Sequence, residues 1–182
     1  MSYNFRKDNR TDKEFAYDIK KAHQKEAIYA EAYRLQLDDS MPNYNVKLVP
    51  YGCGPDGEVI KGHINDIADA LYIIGDHERL VEIKTAPEYL KKFFTFKVSS
   101  LKRCVKHEAH LLVCKHEEFW ICSDIAKIQE MIDFLEHKIH YGFSPNDLSI
   151  RMDANLIEHY FNNSKWCETA QDQINQNKEV LM

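Results

Sequence analysis

Two apolar runs separated by a short polar turn are the clearest pattern in this chain. Residues 70–74 and 80–83 are each of strand length, and Gly75-Asp76-His77-Glu78 between them has turn composition. Apolar runs of this length, bounded by turn residues, are typical of a β-hairpin. Because both runs are apolar on both faces, we expect this hairpin in a sheet that is covered on both sides.

The pattern on either side of the hairpin predicts further helices and strands. A 3.6-residue apolar period predicts a long helix from about Lys13 to Leu37. The aromatic run at 93–96 is predicted to pack in the core. Other predicted elements are strands at 45–51, 109–114 and 119–122, helices at about 99–107 and 124–138, an edge strand at 148–152, and a short helix at 154–161. The sequence therefore predicts an α/β fold.

Three charged residues, Asp69, Glu82 and Lys84, interrupt the apolar hairpin. If the turn pairs Ile74 with Arg79, Asp69 stands opposite Lys84. Residues directly opposite each other share a face of the sheet, and so do residues two apart on one strand. This register therefore places all three charged side chains on one side, whereas a slip of one residue would separate them.

Two carboxylates and an amine on one covered face have two interpretations. Charges in apolar surroundings either shift their pKa or bind a counter-ion. The first interpretation is a salt bridge between Lys84 and one of the carboxylates. The second is a divalent metal ion held by Asp69 and Glu82, with Lys84 beside an attacking water. The register alone leaves both open.

Glu26 is a polar residue on the apolar stripe of the first helix, between Ala22 and Ala30. It could form an ion pair with a basic neighbour, or the stripe could be wider than this spacing indicates. Alternatively, the helix delivers a third carboxylate to the site. We favour this last hypothesis, because burial without a metal ion or a cation is costly. Asp66 is a reserve ligand close to Asp69.

Charge is distributed unevenly along the chain. The formal net charge of −5 argues mildly against a nucleic-acid partner. Residues 84–106, however, carry seven basic side chains and one acidic side chain, directly after the candidate site. The phosphates of a nucleic-acid backbone are negatively charged, so basic side chains beside the candidate site favour its binding there. The candidates for binding a nucleic-acid backbone are Lys91, Lys92, Lys97, Lys102 and Arg103.

Length and hydropathy indicate one intracellular domain. The 182 residues suggest a flexible segment at 1–12, a core at 14–140 and a C-terminal extension at 141–182. No run of 18 apolar residues is present, so no transmembrane helix and no membrane partner are expected. The N-terminus lacks the apolar region of a signal peptide, which favours the cytoplasm.

The five cysteines are odd in number and form no CxxC pair, so free thiols are expected. Cys104 and Cys114, with histidines nearby, raise the alternative of a structural zinc site. No pair among them has zinc-finger spacing, and Cys114 falls in a predicted core strand. A zinc protein is therefore a minor alternative.

Asp69, followed thirteen residues later by Glu82-Ile83-Lys84 across a hairpin, resembles the core motif of the PD-(D/E)xK nuclease superfamily. This superfamily includes restriction enzymes, Holliday-junction resolvases and some homing endonucleases. The order of elements over residues 14–122 is similar as well, although Ala68 stands where the motif has proline. The resemblance implies a restriction-endonuclease-like three-layer core, with a central mixed sheet flanked by helices.

The resemblance also implies an activity. It suggests a Mg²⁺-dependent endonuclease, for which Mn²⁺ can substitute, that hydrolyses DNA to 5′-phosphate and 3′-hydroxyl ends. The implied catalytic set is Glu26, Asp69, Glu82 and Lys84. The implied metal ligands are Asp69, Glu82, the backbone carbonyl of Ile83, and Glu26. Many members act as dimers, which makes a homodimer compatible with the resemblance, and some are encoded by phages or mobile elements.

Two further alternatives stay open. In one, the chain is a catalytically inactive nucleic-acid-binding module with the same fold, whose acidic residues are structural. In the other, the substrate is RNA. No Gln-x-x-x-Tyr follows Lys84, which argues against exonucleases of the RecB type.

Overall fold

A six-stranded mixed sheet lies at the centre of the computed structural model, which describes residues 11–50, 68–85, 93–135, 139–141 and 148–182. Its strands are β1 (Val46–Pro50), β2 (Ala70–Ile74), β3 (His77–Thr85), β5 (His110–Cys114), β6 (Glu118–Cys122) and β9 (Asn162–Lys165). Their spatial order is β1-β2-β3-β5-β6-β9, with β3 and β5 parallel and the other pairs antiparallel.

Helices cover both faces of this sheet. On one face lie α1 (Asp12–Ser40) and α5 (Glu168–Gln176), which is followed by α6 (Lys178–Leu181). On the other face lie α2 (Val98–His107), α3 (Ile125–Leu135) and α4 (Ala154–Tyr160). A second sheet joins that face; its order is β4 (Phe93–Lys97), β8 (Leu148–Asp153), β7 (Ile139–Tyr141). The predicted α/β architecture, with a mixed sheet flanked by helices, is confirmed.

The predicted hairpin is present, but its register differs from the prediction by two residues. Ile74 pairs with His77 rather than with Arg79, because the turn contains two residues instead of four. Gly75 has a φ of 59°, and a glycine at the first position of a two-residue loop is typical of a type II′ turn. A shift of two positions preserves the face of every side chain, so the predicted sidedness is unaffected.

The long helix α1 begins inside the segment that was predicted to be flexible. Thr11 and Glu14 form a capping box at its start. Tyr29 and Leu37, in the second half of the helix, are buried, whereas Ile19 is exposed. The prediction that the first half of the stripe is buried is therefore wrong for Ile19. Although α1 has 29 residues, no helix in the described ranges combines the length and hydrophobicity of a bilayer span.

The C-terminal residues belong to the core in a way that their polarity did not predict. β9 pairs with β6 at the edge of the central sheet, and α5 packs on α1. Trp166 stacks on Tyr29 with ring centroids 6.1 Å apart. β8 is the central strand of the small sheet, so the prediction of an edge strand is wrong. Phe96 is buried as predicted.

Candidate active site

Alternation along β3 places Glu82 and Lys84 on the face of the sheet that α2 covers. Ile83, which lies between them, and Val81, which precedes Glu82, belong to the apolar cluster under α1. Successive side chains of a strand point to opposite faces, so Glu82 and Lys84 point away from that cluster. Glu82 is 1% exposed, which makes it a carboxylate inside the core.

The Lys84 ammonium lies among three oxygen atoms. Its Nζ is 2.7 Å from Glu82 Oε1 and 3.7 Å from Asp69 Oδ2. It also donates a hydrogen bond of 3.2 Å to the backbone carbonyl of Ile83. The predicted convergence of Asp69, Glu82 and Lys84 on one side of the hairpin is therefore present, and the salt bridge named in the first interpretation forms.

Backbone hydrogen bonds to β3 hold Asp69 in place. Its Oδ2 accepts a 2.7 Å hydrogen bond from the Ile83 N–H, and its own N–H donates to the Val81 carbonyl at 3.2 Å. Burial raises the pKa of Asp69, and the Glu82 carboxylate adds to that rise, while the Lys84 ammonium and the Ile83 N–H oppose it.

Glu26 brings a third carboxyl group to this place from α1. Burial, together with the neighbouring carboxylates of Asp69 and Glu82, raises the pKa of Glu26 to about 8, although the Lys84 ammonium opposes the rise. The side chain is half-buried, and it comes one turn before the buried residues Tyr29 and Ala30. The charges of Asp69, Glu82 and Lys84 act on Glu26, so the helix brings this carboxyl near the hairpin residues although α1 packs on the opposite face of the sheet.

The same carboxylates hold Lys84 in its charged form. Burial by itself would lower the pKa of Lys84, but the charges of Asp69 and Glu82 outweigh burial and raise it. The effect extends to Cys104, because burial and the Glu82 charge raise the pKa of its thiol to about 12. Cys104 is therefore a neutral thiol at physiological pH and not a nucleophile.

Arg103 is the functional candidate whose place differs most from the sequence prediction. The sequence assigned it to the nucleic-acid backbone, whereas in the structure its Nη2 is 3.1 Å from Glu82 Oε1 and 3.3 Å from Ser100 Oγ. Ser100, one turn earlier on α2, is itself buried. In the sequence, Ser100 and Arg103 are three residues apart beside the apolar face of α2. This spacing was the signal that could have predicted their contact. We call Glu26, Asp69, Glu82, Lys84 and Arg103 the charged cluster.

The predicted basic surface is partly described. Lys97, the last residue of β4, and Lys102, on the helix that carries Arg103, are both exposed. Lys91 and Lys92 lie outside the described residues, as does the reserve ligand Asp66. In the described part of the chain, positive charge therefore borders the charged cluster at α2.

The donor atoms of the charged cluster suit a hard divalent cation. Carboxylate and backbone carbonyl oxygens are the ligands that Mg²⁺ and Mn²⁺ prefer. Asp69 and Glu82 offer carboxylate oxygens and Ile83 offers a carbonyl oxygen, and all three atoms surround the position of the Lys84 ammonium. Across the described ranges, no three His, Cys, Asp or Glu side chains are grouped closely enough to hold a metal ion. The Lys84 ammonium lies between the carboxylates of Asp69 and Glu82, so a metal ion bound to both would have to replace it.

The zinc alternative does not fit the structure. Cys104 belongs to the apolar cluster on the α2 side of the sheet, whereas Cys114 belongs to the cluster on the α1 side. The sheet separates the two sulfur atoms, so they cannot bind one zinc ion. The four cysteines that the structure describes are free, as expected.

Comparison with known proteins adds no family assignment. No protein-family model matches the chain, and a search of curated proteins finds no significant match. The functional argument therefore depends on the charged cluster itself. Asp69 and Glu82 offer oxygen donors, and Lys84 and Arg103 offer positive charge beside them.

Proposed function

We propose that the chain is a Mg²⁺-dependent endonuclease that hydrolyses phosphodiester bonds in DNA, built on a restriction-endonuclease-like fold. The observation that carries the proposal is the convergence of Glu26, Asp69 and Glu82 with Lys84 in one partly buried cluster. A buried group of three carboxyls and a lysine stabilises a fold poorly, because desolvation of the charges offsets their attraction. Clusters with several perturbed pKa values are found preferentially at functional sites.

Each residue has a distinct role in this proposal. Asp69, Glu82 and the Ile83 carbonyl would hold the metal ion, and Glu26 would complete its shell directly or through water. When bound, such an ion activates a water molecule and neutralises charge that develops on the phosphate. Asp69 is well suited to its role, because the Ile83 N–H already fixes the orientation of its carboxylate.

Lys84 would orient the attacking water and offset negative charge in the transition state. The neighbouring carboxylates keep its amine protonated, which supplies the required positive charge. Lys97 and Lys102, together with Lys91 and Lys92, would attract the nucleic-acid backbone. The substrate would therefore lie across α2 and the end of β3.

The proposal is tested by cleavage assays on plasmid, linear, branched and single-stranded DNA and on RNA, with Mg²⁺, with Mn²⁺ and with EDTA. We expect metal-dependent cleavage that EDTA abolishes and that leaves 5′-phosphate ends. The matched controls are Glu82→Gln, which removes a proposed ligand with little change in shape, and Lys127→Ala on the exposed surface of α3. Cleavage by Glu82→Gln at the wild-type rate would contradict the proposal, whereas cleavage of RNA alone would change the substrate class.

A second candidate function is nucleic-acid binding without cleavage. It is favoured by the pairing of Glu82 with two cations, Lys84 and Arg103, which leaves the cluster neutralised by its own residues. In that case the chain would bind DNA in gel-shift assays with and without EDTA and would cleave none of the substrates. Sedimentation at the same concentrations would test whether the binding species is the expected homodimer.

A further inference from the structure

Two cations share one oxygen atom of the buried carboxylate Glu82. Lys84 Nζ lies 2.7 Å from Oε1, and Arg103 Nη2 lies 3.1 Å from the same atom. The two cations reach it from different elements, since Lys84 belongs to β3 and Arg103 to α2. Because an almost fully buried carboxylate needs one counter-ion at least, the presence of two suggests that they have different tasks.

The other contacts of the two side chains separate these tasks. Lys84 also contacts Asp69 Oδ2 and the Ile83 carbonyl, so it touches three of the oxygens that would bind a metal ion. Arg103 also donates to Ser100 Oγ, a buried group on its own helix. Lys84 therefore lies among the oxygens that would bind the proposed metal ion, whereas Arg103 joins Glu82 to α2.

We propose that Lys84 is an exchangeable counter-ion that holds the metal position in the metal-free protein and leaves it when a divalent cation binds, whereas Arg103 is a positioning residue that stays on Glu82 in both states. The proposal rests on the metal site of the proposed function and adds the order of events at that site. Metal loading then frees the lysine amine at the moment when the phosphate needs a positive charge.

The chemistry of the two side chains supports this division. Lysine carries a compact charge on a flexible four-carbon stem, so its ammonium can leave without moving the backbone. The Lys84 side chain is 30% exposed and that of Arg103 35%, so both have a route toward solvent and the difference between them lies in stem flexibility and bonding geometry. The planar guanidinium of arginine bonds in a fixed geometry, and Ser100 holds it. Glu82 would thus keep a counter-ion throughout the exchange.

Calorimetric titration of Mn²⁺ into the metal-free protein tests the exchange directly. Lys84→Met removes the competing ammonium while keeping the stem, so we expect Mn²⁺ to bind roughly tenfold more tightly. Arg103→Met removes an equal charge but also the support of Glu82, so we expect binding no tighter than in the wild type. Lys106→Met, on the exposed surface of the same helix as Arg103, is the control and should leave the affinity unchanged.

The signs of these changes decide between our proposal and simple charge repulsion. If repulsion alone matters, Lys84→Met and Arg103→Met should tighten Mn²⁺ binding alike, and that result would overturn the division of tasks. Unchanged affinity in Lys84→Met would overturn the exchange. Arg103→Lys, which keeps the charge, serves as the second variant if Arg103→Met fails to fold; weaker binding there supports a need for the guanidinium geometry, and wild-type binding argues against it.

A second measurement follows the amine of Lys84 itself. Amine acetylation, quantified by mass spectrometry, should modify Lys84 several-fold faster with saturating Mg²⁺ than with EDTA, while exposed Lys102 reacts equally in both. An equal rate for Lys84 in both conditions would show that the ammonium does not leave.

These readouts also separate failure of this inference from failure of the proposed function. If Lys84→Met binds Mn²⁺ more tightly but the wild type cleaves no nucleic acid, the exchange is supported and the proposed nuclease function is contradicted. If the wild type cleaves nucleic acid but Lys84→Met shows no gain in Mn²⁺ affinity, the nuclease function is supported and the exchange is contradicted.

Discussion

β3 and β5 are parallel neighbours at the centre of one sheet, yet they place opposite chemistry on the same face. Glu82 pairs in register with Leu111, and Lys84 with Val113. Leu111 and Val113 lie in the apolar core under α2, whereas Glu82 and Lys84 form ion pairs there. All four side chains meet the same layer of helices, so that layer does not require charge.

The difference shows where the fold departs from what packing favours. An apolar pair such as Leu111 and Val113 stabilises the sheet by burial alone. A buried carboxylate at the same level needs cations and hydrogen bonds to offset its lost hydration. Such a departure from the local rule is expected at a functional site rather than at a structural one. The predictions below test this contrast between the two strands.

The largest expected effect is on cleavage, and it is confined to β3. Glu82→Ala should lose metal binding and turnover together, because Glu82 is assigned to the metal ion. Lys84→Ala should reduce single-turnover cleavage by about 10²–10³ while metal and DNA still bind, since it loses one electrostatic contact of the transition state. Single-turnover kinetics and Mn²⁺ calorimetry measure both.

Val113→Ala on β5 is the matched control for these variants, because Val113 is the register partner of Lys84. It should cleave at nearly the wild-type rate at temperatures where it is folded. If cleavage survives both Glu82→Ala and Lys84→Ala, the charged residues of β3 have a structural role and the active site lies elsewhere.

The second effect is on stability, where we expect substitution in β5 to lower the free energy of unfolding more than substitution in β3. Leu111 is fully buried, so Leu111→Ala should lower the free energy of unfolding by about 2–5 kcal/mol. The triple variant Glu82→Leu, Lys84→Met and Arg103→Met replaces Glu82 together with both of its cations, so it should leave that free energy unchanged or raise it, because apolar residues often replace buried ion pairs without loss. Urea denaturation measures both, and a triple variant as unstable as Leu111→Ala would show that β3 needs its charges to fold.

The third effect is on the pH dependence of stability in EDTA. Burial and neighbouring carboxylates raise the pKa of Glu26 from 4.5 to about 8. The folded protein therefore holds a proton that the unfolded chain has lost, so this stabilisation is complete below about pH 4.5 and disappears as the pH rises through about 8. Glu26→Gln should remove this part of the decline in melting temperature between pH 5 and 9.

His110, at the start of β5, supplies a control with the opposite sign. Burial and the nearby Arg79 charge lower the pKa of His110 from 6.5 to about 4. Its contribution is therefore present above about pH 6.5 and is lost as the pH falls through about 4. His110→Gln should change the acid side of the profile alone, and a Glu26→Gln profile parallel to that of the wild type would contradict the placement of Glu26.

The smallest expected effect is on the salt dependence of DNA binding. Replacing Lys91, Lys92 and Lys102 together with alanine should weaken binding and reduce the slope of log affinity against log salt by roughly one for each lost phosphate contact. Lys127→Ala on α3, which removes one positive charge at a different surface, is the control and should leave the slope unchanged. An unchanged slope in the triple variant would mean that the basic segment does not contact the substrate.

The sequence by itself determined the hairpin, the helices α1 to α4, and the side of the sheet on which Asp69, Glu82 and Lys84 lie. The alternation of an extended chain is local, so Asp69, Glu82 and Lys84 fall on one face even though the predicted register differed by two residues from the observed one. The apolar period of α1 likewise predicted the buried positions Tyr29 and Leu37 in the second half of the helix, because that period is a property of the helix alone, but it failed at Ile19.

Tertiary structure decided which elements meet. Arg103 reaches Glu82 because α2 packs across β3, and that contact joins residues 21 positions apart in the chain. The polar tail adds β9 to the edge of the central sheet and packs Trp166 and α5 into the core through partners far away in sequence, as in the stack of Trp166 on Tyr29. Local pattern reports the conformation of a segment and the direction of its side chains, whereas the partner of a buried charge depends on the long-range packing that brings two segments together.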